Sequence, residues 1–573
     1  MIRYLLSTLL LIFISACSDS NNTELNIPTV SGLEELIEHS KEFEQQVISY
    51  ETPGGKIHFA IGFGIANSIM VEGEGGNIII DAADSVYEAE KIYKLFSEKN
   101  SNPIEAIIYT HNHGDHTFGA SHYLKVQDKK PQIIAHEDTD YYVQRIMGIL
   151  NPIITKRSTR MFGTLLPEEN LINVGIGPHL SVSKSPTGYI KPDLTFEDNL
   201  NLNIAGIEIE LYHAPGETND QIFVWLPNHK SLMPGDNIYK TFPNLYTIRG
   251  TSHRDVKGWI NSLDHMKMFN PEFLFPSHTK PIIGKKEINN ALNIYRDAIQ
   301  YIHDQTIRLM NQGLYPDQIV EQIQLPESIA NSPYLYEFYG TVRWSVKSIF
   351  NGYLGWFGGN PSKLDPLTIN EKAIRMSNLA GGNDKLLSEL RNAVKNDDMQ
   401  WALELSDHLI ALDYLIEEVK DLRVEALIYE GSRSSNPNKR NYFLTSAFEL
   451  NNSIIDTSLI NRASEELLDQ ISIDTLFDVL STRYNPEKHS DNNFTVCFVF
   501  SSDSIKNITL RNKVAVISNN ITNNCNIKIL TEELEFKKIL IGLANPVSSI
   551  ANGTIEIVKG NSTKFLQFLN KFR

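Results

Sequence analysis

The sequence predicts an α/β domain, followed by an all-α region and then by a small α+β domain. Between His58 and about residue 285, short apolar runs alternate with Gly, Asn and Asp and with helical stretches, a pattern typical of sheets covered by helices. Beyond residue 285, apolar side chains recur every three to four residues and indicate helices. From about Asn441 onward, a helix precedes several short strand-like runs and further helical stretches.

The length and charge of the chain limit the kinds of protein it can be. At 573 residues it exceeds a single hydrophobic core, so we expect about three domains. Hydrophobic and charged fractions of 41% and 21% are typical of a globular protein. The net charge of -17 argues against a nucleic-acid partner, because phosphate backbones are bound by an excess of Lys and Arg.

The first 17 residues predict export. MIRYLLSTLLLIFISAC has one basic residue, then an apolar stretch too short to span a bilayer, and it ends in Ser-Ala-Cys. This end resembles a bacterial lipobox, so we expect residues 1–17 to be a lipoprotein-type signal peptide and Cys17 to be lipidated. An ordinary cleaved signal peptide is the alternative. Both predict an exported protein, periplasmic or, as a lipoprotein, in the outer membrane, which Ser18 favours.

Residues 18–45 contain a polar tether and a lead-in to the α/β domain, which we expect to span residues 46–285. We expect membrane attachment only through the N-terminal lipid. Two cysteines remain, Cys497 and Cys525, so the mature chain has either one disulfide or two buried thiols.

One short segment, THNHGDH at residues 110–116, predicts a metal site. It follows the apolar run IEAIIY, which indicates a buried strand, so His111 and His113 project to the same side of an extended backbone. Asp115 and His116 follow where the chain turns past a glycine. Imidazole and carboxylate ligands suit zinc or a similar metal. A solvated polar loop is the alternative, and the coincidence of four ligand-type residues disfavours it.

The string H-x-H-x-D-H resembles the metal motif of the metallo-β-lactamase superfamily, whose fold is an αβ/βα sandwich with a dinuclear zinc site. HAPGETNDQIFVWLP is similar to the superfamily's P-G-H-T segment, with Glu217 where histidine usually stands. The segments MPGDN and FLFPSHTKP then supply Asp236 and His278.

Glu217 in place of histidine favours one branch of that superfamily, the alkyl sulfatases. Their N-L-Y-T-L-R-G and R-D strings are similar to NLYTIRGTSHRD here, with Arg254 and Asp255 in register. YGTVRWSVKSIFNGYLGWFGGNPSKL resembles the family's substrate-side and dimerisation segment. The resemblance implies a homodimer formed by a helical dimerisation domain at residues 286–440, and a sterol-carrier-like C-terminal domain at residues 441–573.

The resemblance also implies a site with two zinc ions per subunit. One ion is assigned His111, His113 and Glu217, the other Asp115, His116 and His278, and Asp236 is the bridge. The alignment slips by one residue near Glu217, so Asp220 is an alternative ligand. Asp81, after the apolar run NIII, is expected either to hydrogen-bond a ligand histidine or to be an end-of-strand turn residue.

Substrate and catalytic residues follow from the same resemblance. Arg249 and Asn244 are expected to bind the sulfate, because a guanidinium and an amide donate hydrogen bonds to an anion. Tyr246 and Trp344 are expected to contact the substrate. Trp344 stands where many family members have a histidine that protonates the leaving alcohol. His253 is therefore the candidate acid, or water attacks carbon and sulfate leaves without one. The predicted catalytic residues are Asp115, Asn244, Arg249 and His253.

The predicted activity is zinc-dependent hydrolysis of alkyl sulfate esters, such as dodecyl sulfate, to alcohol and inorganic sulfate. Two alternatives remain open: a dinuclear hydrolase of secondary or aryl sulfates or of phosphate esters, and a non-catalytic lipid-binding lipoprotein. A run of aromatic residues from Tyr334 to Phe357 is interpreted either as the lining of an alkyl channel or as helix core.

Overall fold

The computed structural model describes residues 33–179, 186–451, 465–487, 493–502, 504–520, 522 and 524–572. The predicted signal peptide, Cys17 and the start of the tether lie outside these residues. The lead-in contains a short helix, α1 (Leu33–His39), whose Leu36 is fully buried.

The first sheet begins with a meander and ends with parallel strands. Its strands lie in chain order: β1 (Gln46–Thr52), β2 (Gly55–Ile61), β3 (Ser68–Glu72), β4 (Asn77–Ile80), β5 (Ile104–Ile108), β6 (Gln132–His136) and β7 (Leu194–Phe196). Pairing is antiparallel from β1 to β4 and parallel from β4 to β7. Because β4 and β5 are apolar and almost completely buried, this part of the sheet is covered on both faces.

The second sheet packs face to face against the first. Its order is β13–β12–β11–β10–β9–β8, with β8 (Asn199–Ile204), β9 (Ile207–His213), β10 (Ile222–Leu226), β11 (Ser231–Met233), β12 (Phe273–Leu274) and β13 (Ile282–Ile283). Isoleucine-rich faces of both sheets form one core between them. The sheets therefore form the centre of the expected αβ/βα sandwich.

Helices cover the outer faces of both sheets. The helices of this region are α2 (Val86–Lys99), α3 (Gly114–Thr117), α4 (Ala120–Val126), α5 (Thr139–Met147), α6 (Asn151–Phe162) and α7 (Val256–Met268). α2 and α4 pack on the first sheet, whereas α7 and the start of the next helix pack on the second. The amphipathic α2, with Ile92 and Phe96 buried, matches the predicted helix YEAEKIYKLFSEK.

A long all-α region follows. It contains α8 (Lys285–Asn311), α9 (Pro316–Val320), α10 (Glu327–Ala330), α11 (Val342–Leu354), α12 (Ile369–Ala380), α13 (Asn383–Lys395), α14 (Met399–Ala411), α15 (Ile416–Ser432) and α16 (Pro437–Asn451). The predicted boundary between residues 440 and 441 falls inside α16. This helix continues because Leu444 and Ala447 are buried against the preceding helices, a contact that local periodicity does not reveal.

The C-terminal unit is a small α+β domain. Its sheet has the order β16–β15–β14–β17–β18, formed by β14 (Phe494–Phe500), β15 (Ile505–Arg511), β16 (Val514–Ser518), β17 (Ile527–Thr531) and β18 (Ile555–Lys559). Its helices are α17 (Glu465–Gln470), α18 (Ile473–Arg483), α19 (Glu533–Ile541), α20 (Pro546–Ala551) and α21 (Ser562–Leu569). Cys497 and Cys525 form a disulfide, so the two-thiol alternative is wrong.

Among the described residues, no helix has the length and apolar character needed to cross a bilayer.

Candidate metal centre and active site

The ligand loop follows strand β5 at the carboxyl end of the first sheet. Thr110, at the start of this loop, is anchored through its backbone N–H and hydroxyl to the Asp81 carboxylate, both at 2.9 Å. His113 is the N-cap residue of the short helix α3, and Asp115 and His116 lie within this helix. His111 and His116 are fully buried. The sequence thus folds four ligand-type side chains into one enclosed space.

The structure brings six of the predicted ligands together in two groups. Within each group the ligand atoms lie within 4.8 Å of one another, and the groups are His111, His113 and Asp236, and Asp115, His116 and His278. Asp236 follows β11, and His278 follows β12. Three strand ends therefore meet at one site, as in other open sheets where ligands bind beyond the carboxyl ends of strands.

Asp236 lies between the two groups. One carboxylate oxygen is 3.5 Å from His111 Nε2, and the other is 3.1 Å from His278 Nε2 and 3.5 Å from His116 Nε2. The preceding Gly235 has a φ of 58°, and a Cβ there would lie 1.9 Å from the Gln221 amide nitrogen. This tight turn directs the Asp236 carboxylate into the site.

Asp81 supports the site from behind. Its carboxylate accepts a hydrogen bond from His116 Nδ1 at 2.7 Å and one from the Ser277 hydroxyl at 2.8 Å. His116 is therefore oriented with Nε2 toward the centre, as expected of a carboxylate that orients a metal-ligating histidine. Asp81 also has a φ of 60° directly after β4, so both interpretations of this residue, hydrogen-bond partner and turn residue, are confirmed.

The donor set fits a pair of divalent cations. His116 Nε2 and Asp236 Oδ1 are buried and have no hydrogen-bond partner among the described residues. Buried polar atoms are normally satisfied, so these two atoms, which face each other across the site, point to ligands that are not protein groups. Imidazole nitrogens and carboxylate oxygens are suitable ligands for zinc.

Electrostatics divide the ligands by charge. Burial and the nearby His116 lower the pKa of His111 to about 3, which keeps this ring neutral. Burial opposes ionisation of Asp115 and protonation of His278, but His116 lowers the pKa of Asp115 to about 2 and Asp236 raises the pKa of His278 to about 9. Because a metal binds neutral imidazole, binding at His278 is expected to release a proton.

Glu217 lies beside the metal ligands and is held by protein donors. One carboxylate oxygen accepts hydrogen bonds from Arg254 at 2.8 Å and from the Asn244 amide at 2.9 Å, and the other lies 3.4 Å from the Tyr239 hydroxyl. Burial raises the pKa of Glu217, and Arg254 opposes that shift. The assignment of Glu217 as a metal ligand stays a prediction.

Asp220, the alternative ligand, has a different role. Its carboxylate accepts hydrogen bonds from the Asn112 amide at 2.5 Å and from the Thr139 hydroxyl at 2.9 Å. Asn112 lies between His111 and His113. Asp220 therefore ties the ligand loop to the start of α5, and this favours Glu217 over Asp220 as the ligand.

A cavity of about 220 Å³ opens beside His113 and Glu217. Arg249 and His253 line it, and Arg249 Nη2 lies 3.0 Å from His113 Nε2. Its other wall comes from α5, α6 and the connection between them, with lining residues Tyr142, Arg145, Ile146, Leu150, Ile153, Ile154 and Arg157.

Other predicted substrate contacts lie outside this cavity lining. Asn244 is fully buried beneath Glu217, because its side chain is used to hold that carboxylate. Tyr246 and Trp344 are half-buried and do not line the cavity, and Trp344 occupies the first turn of α11. Their roles as substrate-binding residues stay predictions.

The aromatic run divides between core and surface. Phe338, Tyr339 and Phe350 are buried, which confirms core packing for these three, whereas Trp356 is 73% exposed. None of the run lines the described cavity. Sequence reasoning missed the wall formed by α5 and α6, because its spaced isoleucines and arginines resemble those of any amphipathic surface helix. Pro152 marks the start of α6 but does not indicate a cavity.

Comparison with known proteins agrees with this architecture. Residues 61–278 match the family model described as the metallo-beta-lactamase superfamily, residues 315–453 the model for alkyl sulfatase dimerisation, and residues 461–573 the model for the alkyl sulfatase C-terminal domain. A linear primary-alkylsulfatase of Pseudomonas sp. (strain ATCC 19151) is 34% identical over 519 residues, which is 88% of this chain and 98% of that protein.

This chain belongs to the alkyl sulfatase family. An alkyl/aryl-sulfatase of Saccharomyces cerevisiae is 26% identical to this sulfatase over 89% of its chain and 80% of the yeast protein. The structure of a stereoselective inverting sec-alkylsulfatase from Pseudomonas sp. superposes on 94% of the chain and 86% of its own length, with a TM-score of 0.85 at 23% identity. That likeness establishes the shared fold alone. The predicted fold class, a metallo-β-lactamase sandwich followed by helical and small α+β domains, is confirmed.

Proposed function

We propose that this sulfatase hydrolyses linear alkyl sulfate esters to alcohol and inorganic sulfate with two zinc ions per subunit. The observation that carries the proposal is the pair of ligand groups that meet at Asp236. Beside His113, these groups adjoin a cavity that is lined by Arg249 and has an apolar wall. A sulfate ester with an alkyl tail has matching chemistry, since it presents an anion at one end and apolar surface at the other.

The metal ligands divide naturally between the two groups. His111 and His113 would hold one ion, Asp115, His116 and His278 the other, and Asp236 would contact both. Glu217 would complete the first ion's ligands. Bound zinc supplies Lewis acidity, which lowers the pKa of a water molecule toward neutrality and offsets the charge of sulfate oxygens.

Arg249 would bind the sulfate. Its guanidinium lines the cavity beside His113, and its planar set of donors suits two oxygens of an oxyanion at once. Asn244, buried behind the cavity, donates a hydrogen bond to Glu217, and its contact with the sulfate stays a prediction.

The alkyl chain would lie against the apolar wall, because burial of apolar surface by a methylene chain stabilises the complex. The wall residues are Ile146, Leu150, Ile153 and Ile154.

His253, also at the cavity wall, is the proposed proton donor. Its ring lies directly on the backbone of α11, where a Cβ at Gly352 would come within about 2 Å of it. If instead water attacks carbon, solvent oxygen-18 enters the alcohol and His253 is dispensable.

The homodimer is proposed from the family's dimerisation domain and from exposed apolar side chains in α12. Ile369 and Leu379 are 78% and 83% exposed. Apolar surface of this kind marks protein interfaces when it is contiguous.

Export with a lipid on Cys17 is likewise a proposal. The Cys497–Cys525 disulfide supports it, because stable disulfides occur mainly in oxidising compartments such as the periplasm. Cleavage before Cys17 and palmitate labelling in cells would test this, with Cys17→Ala as the control.

The central experiment is sulfate release from dodecyl sulfate by the purified, zinc-loaded chain, measured by ion chromatography, with His113→Ala as the inactive control. Zinc content is measured on the same samples. Release that His113→Ala abolishes supports the proposal. Absence of release from the folded zinc protein, with turnover of secondary or aryl sulfates or of phosphate esters, would replace the substrate class while keeping the metal centre.

A further inference from the structure

The cavity wall formed by α5 and α6 is held from two sides. We call residues 139–162 the hairpin and residues 244–254, which carry Asn244, Arg249 and His253, the arginine loop. The hairpin lies between the arginine loop on the inside and two further domains on the outside. These two C-terminal domains are the helical dimerisation domain and the small α+β domain.

On the inside, the hairpin holds the arginine loop at several points. Arg157 donates to the carbonyl oxygen of Ile248, the residue before Arg249, from Nε at 3.0 Å and from Nη2 at 2.6 Å. Arg145 donates to the Ser252 hydroxyl at 2.5 Å, next to His253. Met161 packs with Ile248 in a small buried cluster. The positions of Arg249 and His253 therefore depend on the hairpin.

On the outside, the C-terminal domain holds α5. The Gln144 side chain donates to the Gln470 carbonyl oxygen at 2.8 Å and accepts from the Ser472 backbone N–H at 3.1 Å. Val143 shares a buried core with Leu467, Leu468, Ile471 and Leu476. A Cβ at Gly148 would lie 2.6 Å from Thr475 Cγ2, so the two surfaces are in close contact.

The dimerisation domain holds α6. Arg160 pairs with Glu449 of α16, with Nη2 and Nε at 2.5 and 2.8 Å from the same carboxylate oxygen, and its guanidinium lies 5.8 Å from the centre of the Tyr442 ring. Both residues of the pair are only about a quarter exposed or less, so solvent screens the interaction little.

We infer that the two C-terminal domains set the affinity of this sulfatase for its substrate by fixing the hairpin, and that Gln144 and Arg160 are positioning residues. This inference rests on the proposed function for its substrate. Neither side chain contacts the reacting atoms; each acts through the hairpin on Arg249, His253 and the apolar wall. A displacement of the wall by about 1 Å would be enough to misplace the anion and the chain together.

The test compares Gln144→Ala, Arg160→Met and the double variant with the full-length zinc enzyme. We expect each single change to raise KM for dodecyl sulfate by about threefold to tenfold and to lower kcat by a smaller factor, because His253 is held by the same loop. Zinc content and dimer mass should not change. Glu449→Gln keeps an oxygen acceptor for Arg160 and should lie close to the wild type.

Matched controls remove similar groups elsewhere. Arg391→Met breaks an exposed arginine–glutamate pair with Glu418, and Gln567→Ala removes an exposed glutamine of α21. Neither should change KM. Wild-type KM in the Gln144 and Arg160 variants would overturn the inference, and so would a loss of kcat and melting temperature at constant KM.

Hydrogen exchange of residues 247–254 gives a readout that needs no substrate. We expect faster exchange of this segment in Gln144→Ala and Arg160→Met, and none of this effect in the controls. If the wild-type enzyme hydrolyses no alkyl sulfate, the proposed function fails, and the exchange result still decides whether the domains fix the loop. Unchanged exchange would overturn the inference even when the wild type is active.

Discussion

Arg254 forms a buried ion pair with Glu217, with 2.8 Å between Nη1 and Oε1, and both side chains are at most 2% exposed. Arg254 Nη1 also donates to the Asn244 carbonyl oxygen. A single guanidinium thus fixes the orientation of a predicted metal ligand and the start of the arginine loop. A buried pair of this kind is costly to break, because the remaining charge is left without a partner.

In the metal-free protein, Arg254→Met should therefore cost about 3–5 kcal/mol of stability, since it leaves the buried Glu217 carboxylate without its cationic partner. Chemical denaturation measures this free energy. Arg391→Met, which breaks an exposed pair, should cost about 0–1 kcal/mol. Equal losses in the free energy of unfolding for the two variants would show that the buried Glu217–Arg254 pair contributes no more to stability than an exposed pair.

Substitution of Asp236 should remove more metal than substitution of His278, because the Asp236 carboxylate lies within 3.5 Å of histidines from both groups. We expect about two zinc ions per subunit in the wild type, about one in His278→Ala and close to none in Asp236→Ala, measured by plasma mass spectrometry after dialysis. His408→Ala, outside the site, is the control. One retained zinc in Asp236→Ala would argue against a shared ligand.

Arg249→Lys should reduce kcat/KM for dodecyl sulfate by about 10- to 100-fold, because an ammonium cannot replace a planar bidentate donor set. Steady-state kinetics with zinc-saturated enzyme measures the effect. Arg343→Lys, at an exposed position next to Trp344, should retain wild-type values. Full activity of Arg249→Lys would mean that the anion binds elsewhere.

Charges on the exposed face of α12 should break the dimer. Ile369→Glu combined with Leu379→Glu places charges at exposed apolar positions. Because both subunits contribute the same surface to a two-fold interface, each substitution would be present twice in it. Analytical ultracentrifugation should show a monomer at concentrations where the wild type is a dimer. Val558→Glu, an exposed apolar position of β18, should leave the mass unchanged. A dimeric double variant would place the interface on another surface.

Stability should fall in mild acid through His136. Burial and the stacked His213, 4.1 Å away between ring centres, lower the pKa of His136 to about 4. Between pH 6.5 and 4, His136 is protonated in the unfolded chain but neutral in the folded chain. The free energy of unfolding should therefore fall by up to about 2 kcal/mol by pH 5. Denaturation at pH 7 and pH 5 should show a smaller loss in His136→Gln than in the wild type, and an unchanged loss in His408→Gln. An identical pH dependence in His136→Gln would assign the loss to other groups.

The sequence by itself determined the features that depend on neighbouring residues. The segment from Thr110 to His116 has four ligand-type residues directly after a buried strand, so a metal site could be predicted from this segment alone. The strands and amphipathic helices were predictable for the same reason: their apolar spacing is imposed by local backbone geometry. Once the predicted signal peptide is set aside, only Cys497 and Cys525 remain. The sequence therefore names the only possible disulfide but does not decide whether it forms.

The tertiary structure decided what depends on residues far apart in the chain. It placed Asp236 between two ligand groups and paired Glu217 with Arg254. It also showed that Asp220 accepts hydrogen bonds from Asn112 and Thr139. Each of these contacts joins loops that are brought together only by the order of the strands. It also revealed the hairpin as the cavity wall. An amphipathic helix has the same pattern whether its apolar face covers a core or a substrate, and only the packing of whole domains distinguishes the two.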